Sequence, residues 1–194
     1  MIEEIHDRSV TDPLITELID KITENNKIVD ALDAGCGEGR YSIYLANKGV
    51  NVTAVDKCKS SVNLLLRKIC KERILNINAH NIGISSIKYI NKKFDLILDI
   101  GMMHFLSEIQ LQEYMNSLKK IVSKNGYFIL NAFAEKEREN NPNIKASCFL
   151  ESEIITMLNN IGFKLLILDL VKMNQVNHFH YMYVGLFQKK EKNE

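Results

Sequence analysis

The segment that decides the fold of this 194-residue chain is Asp33-Ala34-Gly35-Cys36-Gly37-Glu38-Gly39. It follows a largely apolar run at residues 28–32 and precedes a helical pattern at residues 41–47. Glycines at alternate positions between a strand and a helix let the backbone approach a ligand closely at the carboxyl edge of a sheet. The segment therefore predicts a site for a nucleoside-containing cofactor.

The spacing of the glycines separates two classes of cofactor. A dinucleotide-binding turn has the pattern Gly-x-Gly-x-x-Gly, in which the third glycine packs the helix tightly on the strand. Counted from Gly35 and Gly37, that third position is Arg40, and the glycine comes one residue earlier, at Gly39. This spacing weakens the NAD-type interpretation, which stays open as an alternative.

A second candidate binding residue is Asp56, which ends the apolar run at residues 50–55. It lies about 20 residues beyond the glycines, where a carboxylate at the end of the second strand can accept both ribose hydroxyls. An aspartate after a strand is often only a helix cap, and Gly-x-Gly is common in turns. Because strand, glycine loop, helix, strand and acid occur here in that order, cofactor binding is favoured.

The glycine segment resembles motif I of the class I S-adenosylmethionine (SAM)-dependent methyltransferases, in which an acidic residue precedes Gly-x-Gly-x-Gly. Asp33 matches the leading acid of that motif. The resemblance implies that Asp56 and its neighbour Lys57 lie at the ribose. It also implies that the loop which admits the cofactor consists of Gly35, Cys36, Gly37 and Gly39. Cys36 would be an ordinary small residue there, without a nucleophilic role.

The stretch Asn78-Ala79-His80-Asn81-Ile82 follows a predicted third strand at residues 74–77. It stands where the methyltransferase family often shows Asp-Ala-x-Asp-Leu, whose first side chain bonds the adenine amino group and whose next backbone amide meets a ring nitrogen. The resemblance thus assigns the adenine to Asn78 and Ala79, since an amide oxygen can also accept from an amine. A plain polar turn is the alternative for His80 and Asn81.

The strand at residues 94–99 and the residues after it resemble motif IV of the same family, which faces the methionine part of SAM and the methyl acceptor. The resemblance places Asp99 near that end of the cofactor. Methyltransferases of nucleic-acid base amines usually carry Asp/Asn-Pro-Pro-Tyr/Phe here, whereas this chain continues Ile100-Gly101-Met102. The departure counts against a nucleic-acid base as the acceptor.

Histidines supply the remaining candidates for chemistry. His104 is near enough to motif IV to act as a general base, although its apolar neighbours equally suit a hydrogen-bonded packing residue. His178 and His180 are two apart on a predicted strand and would share one face. No suitably spaced cysteine or acid completes a zinc set with them, so no metal is predicted, and a polar lining or a solvated edge is favoured. A His-x-His near the last strand also resembles small-molecule methyltransferases of the tellurite-resistance and thiopurine type.

The order of predicted elements defines the fold class. Strands and helices alternate up to a helix at residues 154–161, and two strands then follow without room for a crossover helix, which implies antiparallel pairing. We therefore predict an α/β fold: one Rossmann-like, doubly wound, seven-stranded sheet, mostly parallel with an antiparallel C-terminal hairpin, and helices on both faces. The predicted single domain, 1–194, has a helical cover at 1–26, the core at 27–188 and a polar tail at 189–194.

Composition limits the compartment and the partners. The chain has 25 lysines and arginines, 24 aspartates and glutamates, and a net charge of +1, which provides no general field for a polyanion. Its four cysteines show no Cys-x-x-Cys spacing, and its start lacks the pattern of a signal peptide. No apolar run reaches the length of a membrane span. We expect a cytoplasmic protein that does not bind membranes or nucleic acid, with a homodimer left open.

The function that these patterns predict is transfer of a methyl group from SAM to a nucleophilic atom of a small-molecule acceptor, which leaves S-adenosylhomocysteine as the product. Two other interpretations remain open. One is an NAD-type Rossmann oxidoreductase, and the other is a non-catalytic SAM-binding module that holds a partner through the predicted helix at residues 107–123.

Overall fold

A computed structural model of the chain describes residues 11–175 and 178–190. Part of the predicted helical cover, residues 1–10, and most of the predicted polar tail, residues 191–194, lie outside the described residues. The described strands are β1 (Asp30–Ala34), β2 (Asn51–Val55), β3 (Ile77–His80), β4 (Phe94–Ile100), β5 (Val122–Phe133), β6 (Phe163–Gln175) and β7 (His178–Lys189). The described α-helices are α1 (Pro13–Asn25), α2 (Arg40–Asn47), α3 (Lys59–Glu72), α4 (Glu108–Ile121), α5 (Glu137–Asn140) and α6 (Glu151–Asn160).

The seven described strands form one sheet in the order β3-β2-β1-β4-β5-β7-β6. Strands β1 to β5 pair in parallel, whereas β7 is antiparallel to both β5 and β6. The strand order reverses between β1 and β4, and in such sheets ligands bind at the carboxyl ends of the strands next to the reversal. The predicted fold class is confirmed, including its antiparallel C-terminal pair.

Helices cover both faces of the sheet and create two apolar cores. Helix α1 begins as the sequence predicts, with Asp12 accepting a hydrogen bond from the N–H of Leu14 at 2.9 Å and Pro13 in the first turn. Its buried face belongs to one core, together with residues of α2 and α3. Helix α4 begins with a capping box between Ser107 and Gln110, and its buried face belongs to the other core with α6. No helix in the described ranges is long and apolar enough to cross a membrane.

Two strand boundaries differ from the predictions. Strand β3 lies three residues later than the predicted 74–77, because the left-handed cap at Arg73 and the hydrogen bond from Ile74 N to Ile69 O still belong to the end of α3. The helix predicted at residues 107–123 ends at Ile121, and strand β5 begins directly after it, so that Asn125 and Gly126 lie within the strand. Its pairing with β4 shifts register between Phe94 and Leu96, which accommodates the extra residues as a bulge.

Candidate active site

The glycine loop connects β1 to α2 through three left-handed residues. Gly35, Gly37 and Gly39 have φ of +79°, +54° and +82°, values that residues with a Cβ rarely adopt. The N–H groups of Gly35 and Cys36 both donate to the carbonyl of Val55, at 2.8 and 3.0 Å. The loop is therefore tied to the end of β2, next to Asp56.

The three glycines serve different packing needs. A Cβ on Gly35 would lie 2.5 Å from Cγ of Met102, and one on Gly39 would lie 2.3 Å from Cδ1 of Leu65. A Cβ on Gly37 would meet no heavy atom of the described chain within 4 Å. Gly35 and Gly39 thus allow close packing of the protein against itself, and Gly37 leaves open space above the loop.

Asp56 connects the loop to the start of α3. Its Oδ2 accepts a hydrogen bond from the N–H of Gly37 at 2.9 Å, and its Oδ1 accepts one from the N–H of Cys58 at 2.7 Å. Each carboxylate oxygen keeps further acceptor capacity after one such bond. The side chain is half-buried at the edge of a cavity, where it can still accept hydroxyl donors.

This cavity of about 540 Å³ lies at the carboxyl edge of the parallel strands, and its size is that of a small-ligand site. Three of the predicted site residues line it, namely Gly35, Asp56 and Lys57. The sequence reasoning had not assigned the rest of the wall a cofactor role. That wall is mainly apolar and consists of Val55, Ile82, Gly83, Ile84, Ser85, Gly101, Met102, Phe105, Leu106 and Gln110.

Asp33 lies inside the protein and does not line the cavity. Only 2% of the residue is exposed, and its Oδ2 accepts a hydrogen bond from the Ser42 hydroxyl at 2.6 Å. Burial raises the pKa of Asp33 from 3.8 to about 6, against the opposing effect of the Ser42 bond. Since Ser42 belongs to α2, this bond joins the end of β1 to the helix that follows the glycine loop.

Asp99 is fully buried at the end of β4. Its Oδ1 accepts hydrogen bonds from the N–H groups of Met102 and Met103, at 3.2 and 3.0 Å, and so fixes the turn that brings Gly101 and Met102 to the cavity. Burial raises the pKa of Asp99 from 3.8 to about 7. Its Oδ2 and the buried hydroxyl of Tyr114 have no hydrogen-bond partner of normal geometry within the described residues.

The predicted adenine residues Asn78 and Ala79 lie elsewhere. They belong to β3 and pair with Thr53 and Ala54, rather than following the strand as predicted. Asn78 is exposed, and neither residue lines the cavity. The chain reaches the cavity only after β3, at Ile82. The predicted strand end lies three residues too early, and the adenine role of Asn78 and Ala79 remains a prediction.

His104 is packed inside the turn at residues 103–105, with 2% of the residue exposed. Its Nδ1 accepts a long hydrogen bond of 3.4 Å from the N–H of Phe133, and the two rings lie 4.1 Å apart. Burial lowers its pKa from 6.5 to about 4, with a smaller contribution from His180. These contacts match the packing interpretation, and the general-base role remains a prediction.

A buried carboxylate that no sequence motif indicated lies near the same edge of the sheet. Glu137, in the short helix α5, is fully buried, and its Oε1 lies 2.8 Å from Nδ1 of His180. Its Oε2 accepts a hydrogen bond from the N–H of Tyr181 at 2.7 Å. No local pattern signals this pair, because its two residues are 43 positions apart. The described residues contain no group of three potential metal ligands, so His178 and His180 do not form part of one there.

The arrangement fits the nucleoside cofactor that the sequence predicts. The cavity has the size of such a ligand, Asp56 offers oxygens at its edge, and Gly37 leaves the loop backbone uncovered. Cys36 is buried, and desolvation raises the pKa of its thiol strongly, which agrees with the inert role expected of it.

Comparisons with known proteins identify the class. The chain is 28% identical over 109 residues to the uncharacterized methyltransferase C750.03c of Schizosaccharomyces pombe, which covers 56% of this chain and 74% of that protein. The crystal structure of TehB from Haemophilus influenzae superposes with a TM-score of 0.75 at 22% identity, over 90% of this chain and 62% of that one. The 1,6-didemethyltoxoflavin-N1-methyltransferase of Burkholderia thailandensis, solved with S-adenosylhomocysteine, gives 0.73 at 17% identity, over 92% and 78%.

The fold, the site and these relatives define a class I SAM-dependent methyltransferase, as the sequence predicts. The chain belongs to the family described as "Tellurite resistance protein TehB", which it matches over residues 6–163. The cofactor of this class is SAM, so that prediction is confirmed as well.

Proposed function

We propose that the chain transfers the methyl group of SAM to a small-molecule acceptor and releases S-adenosylhomocysteine. The observation that carries the proposal is the cavity at the carboxyl edge of the sheet, with Asp56 at its edge and the glycine loop beside it. SAM supplies an electrophilic methyl group when bound. The protein's tasks are to align an acceptor with it and to exclude water.

Some of the predicted site residues would contact the cofactor directly, whereas others would hold the surrounding loops in place. Asp56 accepts the ribose hydroxyls and Lys57 lines the same side of the cavity, while the backbone of residues 35–39 makes room for the ligand. Asp33 and Asp99 act from inside the protein, because their hydrogen bonds hold the glycine loop and the turn at residues 100–103 in place. The adenine role of Asn78 and Ala79 is kept as a proposal, although neither residue lines the cavity.

The acceptor is expected to meet the apolar wall that Met102, Phe105 and Leu106 provide. An oxyanion such as tellurite calls for several cationic hydrogen-bond donors. Among the described residues that line the cavity, Lys57 is the one cationic side chain. The lining therefore favours an apolar organic acceptor over a small oxyanion.

The finer predictions on location and assembly are kept as proposals. Four free cysteines suit the reducing cytoplasm.

A homodimer could form through strand β6, which lies at the edge of the sheet and exposes Leu165, Leu166 and Leu170. If β6 of a second copy pairs with it in antiparallel orientation, Lys164 can lie opposite Asp169. In size-exclusion chromatography, a homodimer formed through this edge would elute at twice the monomer mass. If the edge forms the contact, Leu166→Lys would abolish the dimer.

Calorimetry with SAM and with NAD tests the proposal directly. We expect saturable binding of SAM or S-adenosylhomocysteine and no heat with NAD, since Arg40 occupies the position of the third dinucleotide glycine. Incubation with methyl-labelled SAM and a metabolite extract should then move label into a small product. Binding of NAD alone would favour the oxidoreductase, and SAM binding with no labelled product would favour the non-catalytic module.

A further inference from the structure

The Glu137–His180 pair lies at the same sheet edge as the cavity. Strand β7 runs antiparallel to β5, so the beginning of β7, where His180 stands, is next to the carboxyl end of β5. His180 is half-buried, with 15% of its side chain exposed, while the Glu137 side chain is fully enclosed. The imidazole is thus the member of the pair that solvent or a ligand can reach.

Each oxygen of the buried Glu137 carboxylate has two polar contacts. It contacts Nδ1 of His180 and the N–H of Tyr181, and the Asn140 amide donates to both of its oxygens at 3.2 and 3.3 Å. Its oxygens can only accept, so the proton in the bond to His180 lies on Nδ1 of the ring. In the neutral ring this leaves a lone pair on Nε2, and that nitrogen makes no hydrogen bond within the described residues.

A row of rings, which we call the aromatic wall, leads from the cavity to this imidazole. It comprises Phe105, His104, Phe133 and His180. Phe105 lines the cavity with 65% of its surface exposed, and its ring centroid lies 6.4 Å from that of Phe133. Phe133 in turn lies 5.1 Å from His180 and 4.1 Å from His104. An exposed phenylalanine beside such a row is suited to stack against a flat ligand.

We infer that His180, instead of the more deeply buried His104, is the general base of the methyl transfer, positioned by Glu137, and that the acceptor is a planar aromatic compound with a weakly acidic O–H or N–H. The inference rests on the proposed function and names its substrate class. Nε2 of His180 takes the acceptor proton, and the freed electron pair forms the bond to the methyl carbon. The carbon–sulfur bond breaks and leaves its electron pair on sulfur, so that charge and atoms balance.

The surroundings of His180 make this role dependent on pH. Three ionisable side chains face this ring: Glu137 from α5 at 2.8 Å, His178 on β7 with its ring centroid 4.8 Å away, and His104 from the turn. Two lysines lie over neighbouring rings of β7, Lys172 over Phe179 and Lys136 over Tyr181. Protonation of His180 removes the base, so the rate should fall at acid pH.

The variant His180→Asn separates the base from the structural contact, because an asparagine amide can still donate to Glu137 from the place of Nδ1. His178→Asn is the matched control, since it removes the exposed imidazole whose ring lies 4.8 Å from that of His180 but leaves the Glu137–His180 contact in place. The probes are 2-naphthol, a weak acid, and pentafluorophenol, which is already ionised at neutral pH. For His180→Asn we expect methyl transfer to 2-naphthol to fall by about 100-fold or more. Transfer to pentafluorophenol should change far less, and the acid limb of the pH profile should disappear.

A second readout needs no turnover. With S-adenosylhomocysteine in the cavity, 4-nitrophenol should bind to the unchanged protein as the visibly absorbing phenolate at a pH where the free compound is neutral. His180→Asn should bind it without that absorbance. Equal kcat values and pH profiles for His180→Asn and the unchanged protein would overturn the inference. So would transfer to tellurite or ethanolamine but to neither phenol, with SAM binding intact. If the unchanged protein does not bind SAM, the proposed function itself is refuted.

Discussion

The carboxylate of Asp56 accepts a hydrogen bond from the backbone N–H of Gly37, although the two residues are 19 positions apart. The glycine loop after β1 and the acid after β2 are therefore parts of one unit. Asp56 both contacts the ligand and holds the glycine loop in its conformation. A change at Asp56 should therefore affect ligand binding and the conformation of the loop together.

Asp56→Ala should weaken SAM binding by about 100-fold, since it removes charged acceptors that contribute about 1.5–3 kcal/mol for each bond. Calorimetry measures the loss, and circular dichroism should show a folded chain. Asp169→Ala, at an exposed carboxylate of β6, is the control and should bind as the unchanged protein does. Unchanged affinity in Asp56→Ala would remove the ribose role from this residue.

Gly39→Ala should destabilise the fold more than Gly37→Ala. Both positions have positive φ, which costs a residue with a Cβ about 1–2 kcal/mol. At Gly39 the new methyl group also collides with Leu65, whereas at Gly37 it enters open space. Urea denaturation should rank the two variants in this order, and Gly39→Ala should cost less stability when it is introduced into a Leu65→Ala background. Equal free energies of unfolding for the two single variants would contradict the packing role of Gly39.

Asp99→Asn should change how stability depends on pH. The pKa of Asp99 is raised from 3.8 to about 7, so between these values the native state holds a proton that the unfolded state has released. This contribution to stability is complete below pH 4 and is lost as the pH rises to 7. Asparagine does not ionise. The free energy of unfolding of the variant should therefore rise relative to that of the unchanged protein between pH 4 and 7, by roughly 4 kcal/mol.

Urea denaturation at pH 4, 5.5 and 7.5 measures the difference in free energy of unfolding between Asp99→Asn and the unchanged protein. Asp33, with its pKa raised to about 6, acts in the same direction in both of them. His104, with its pKa lowered to about 4, acts in the opposite direction in both, because its stabilising effect grows as the pH rises. Both contributions cancel in the comparison. A constant difference over this range would show that the native state does not raise the pKa of Asp99.

Cys58 should be the most readily alkylated thiol of the native protein. It is exposed, and hydrogen bonding with Ser60, at 3.1 Å, together with Ser61 lowers its pKa from 9.0 to about 7. Iodoacetamide at neutral pH should therefore label it several-fold faster than Cys70, the other exposed cysteine. Peptide mass spectrometry gives both rates, and Ser60→Ala should slow only the labelling of Cys58. Equal rates at the two thiols would contradict the assignment.

The parts of the site that local sequence determines were predictable. Left-handed glycines and an acid that ends the next strand leave a local pattern, and Gly35, Asp56 and Lys57 do line the cavity. The antiparallel end of the sheet also followed from local information, because the last two predicted strands leave no room for a crossover helix.

The parts that depend on distant contacts were not predictable. Glu137 lies in a polar stretch typical of a surface loop, and only the folded chain brings His180 to it. The start of β3 was misplaced because Arg73 adopts a left-handed cap without being glycine. Because of this cap, Asn78 and Ala79 lie within strand β3 and not directly after it.

Antiparallel pairing of β7 has an evolutionary consequence. Gly35, Asp56 and Met102 all precede residue 134, in the parallel part of the sheet, whereas Glu137 and His180 follow it. One contiguous C-terminal stretch can therefore diverge, or be exchanged between homologues by recombination, while the cofactor-binding part stays intact. Lineages that share this scaffold could in this way acquire new metabolic roles through a single crossover.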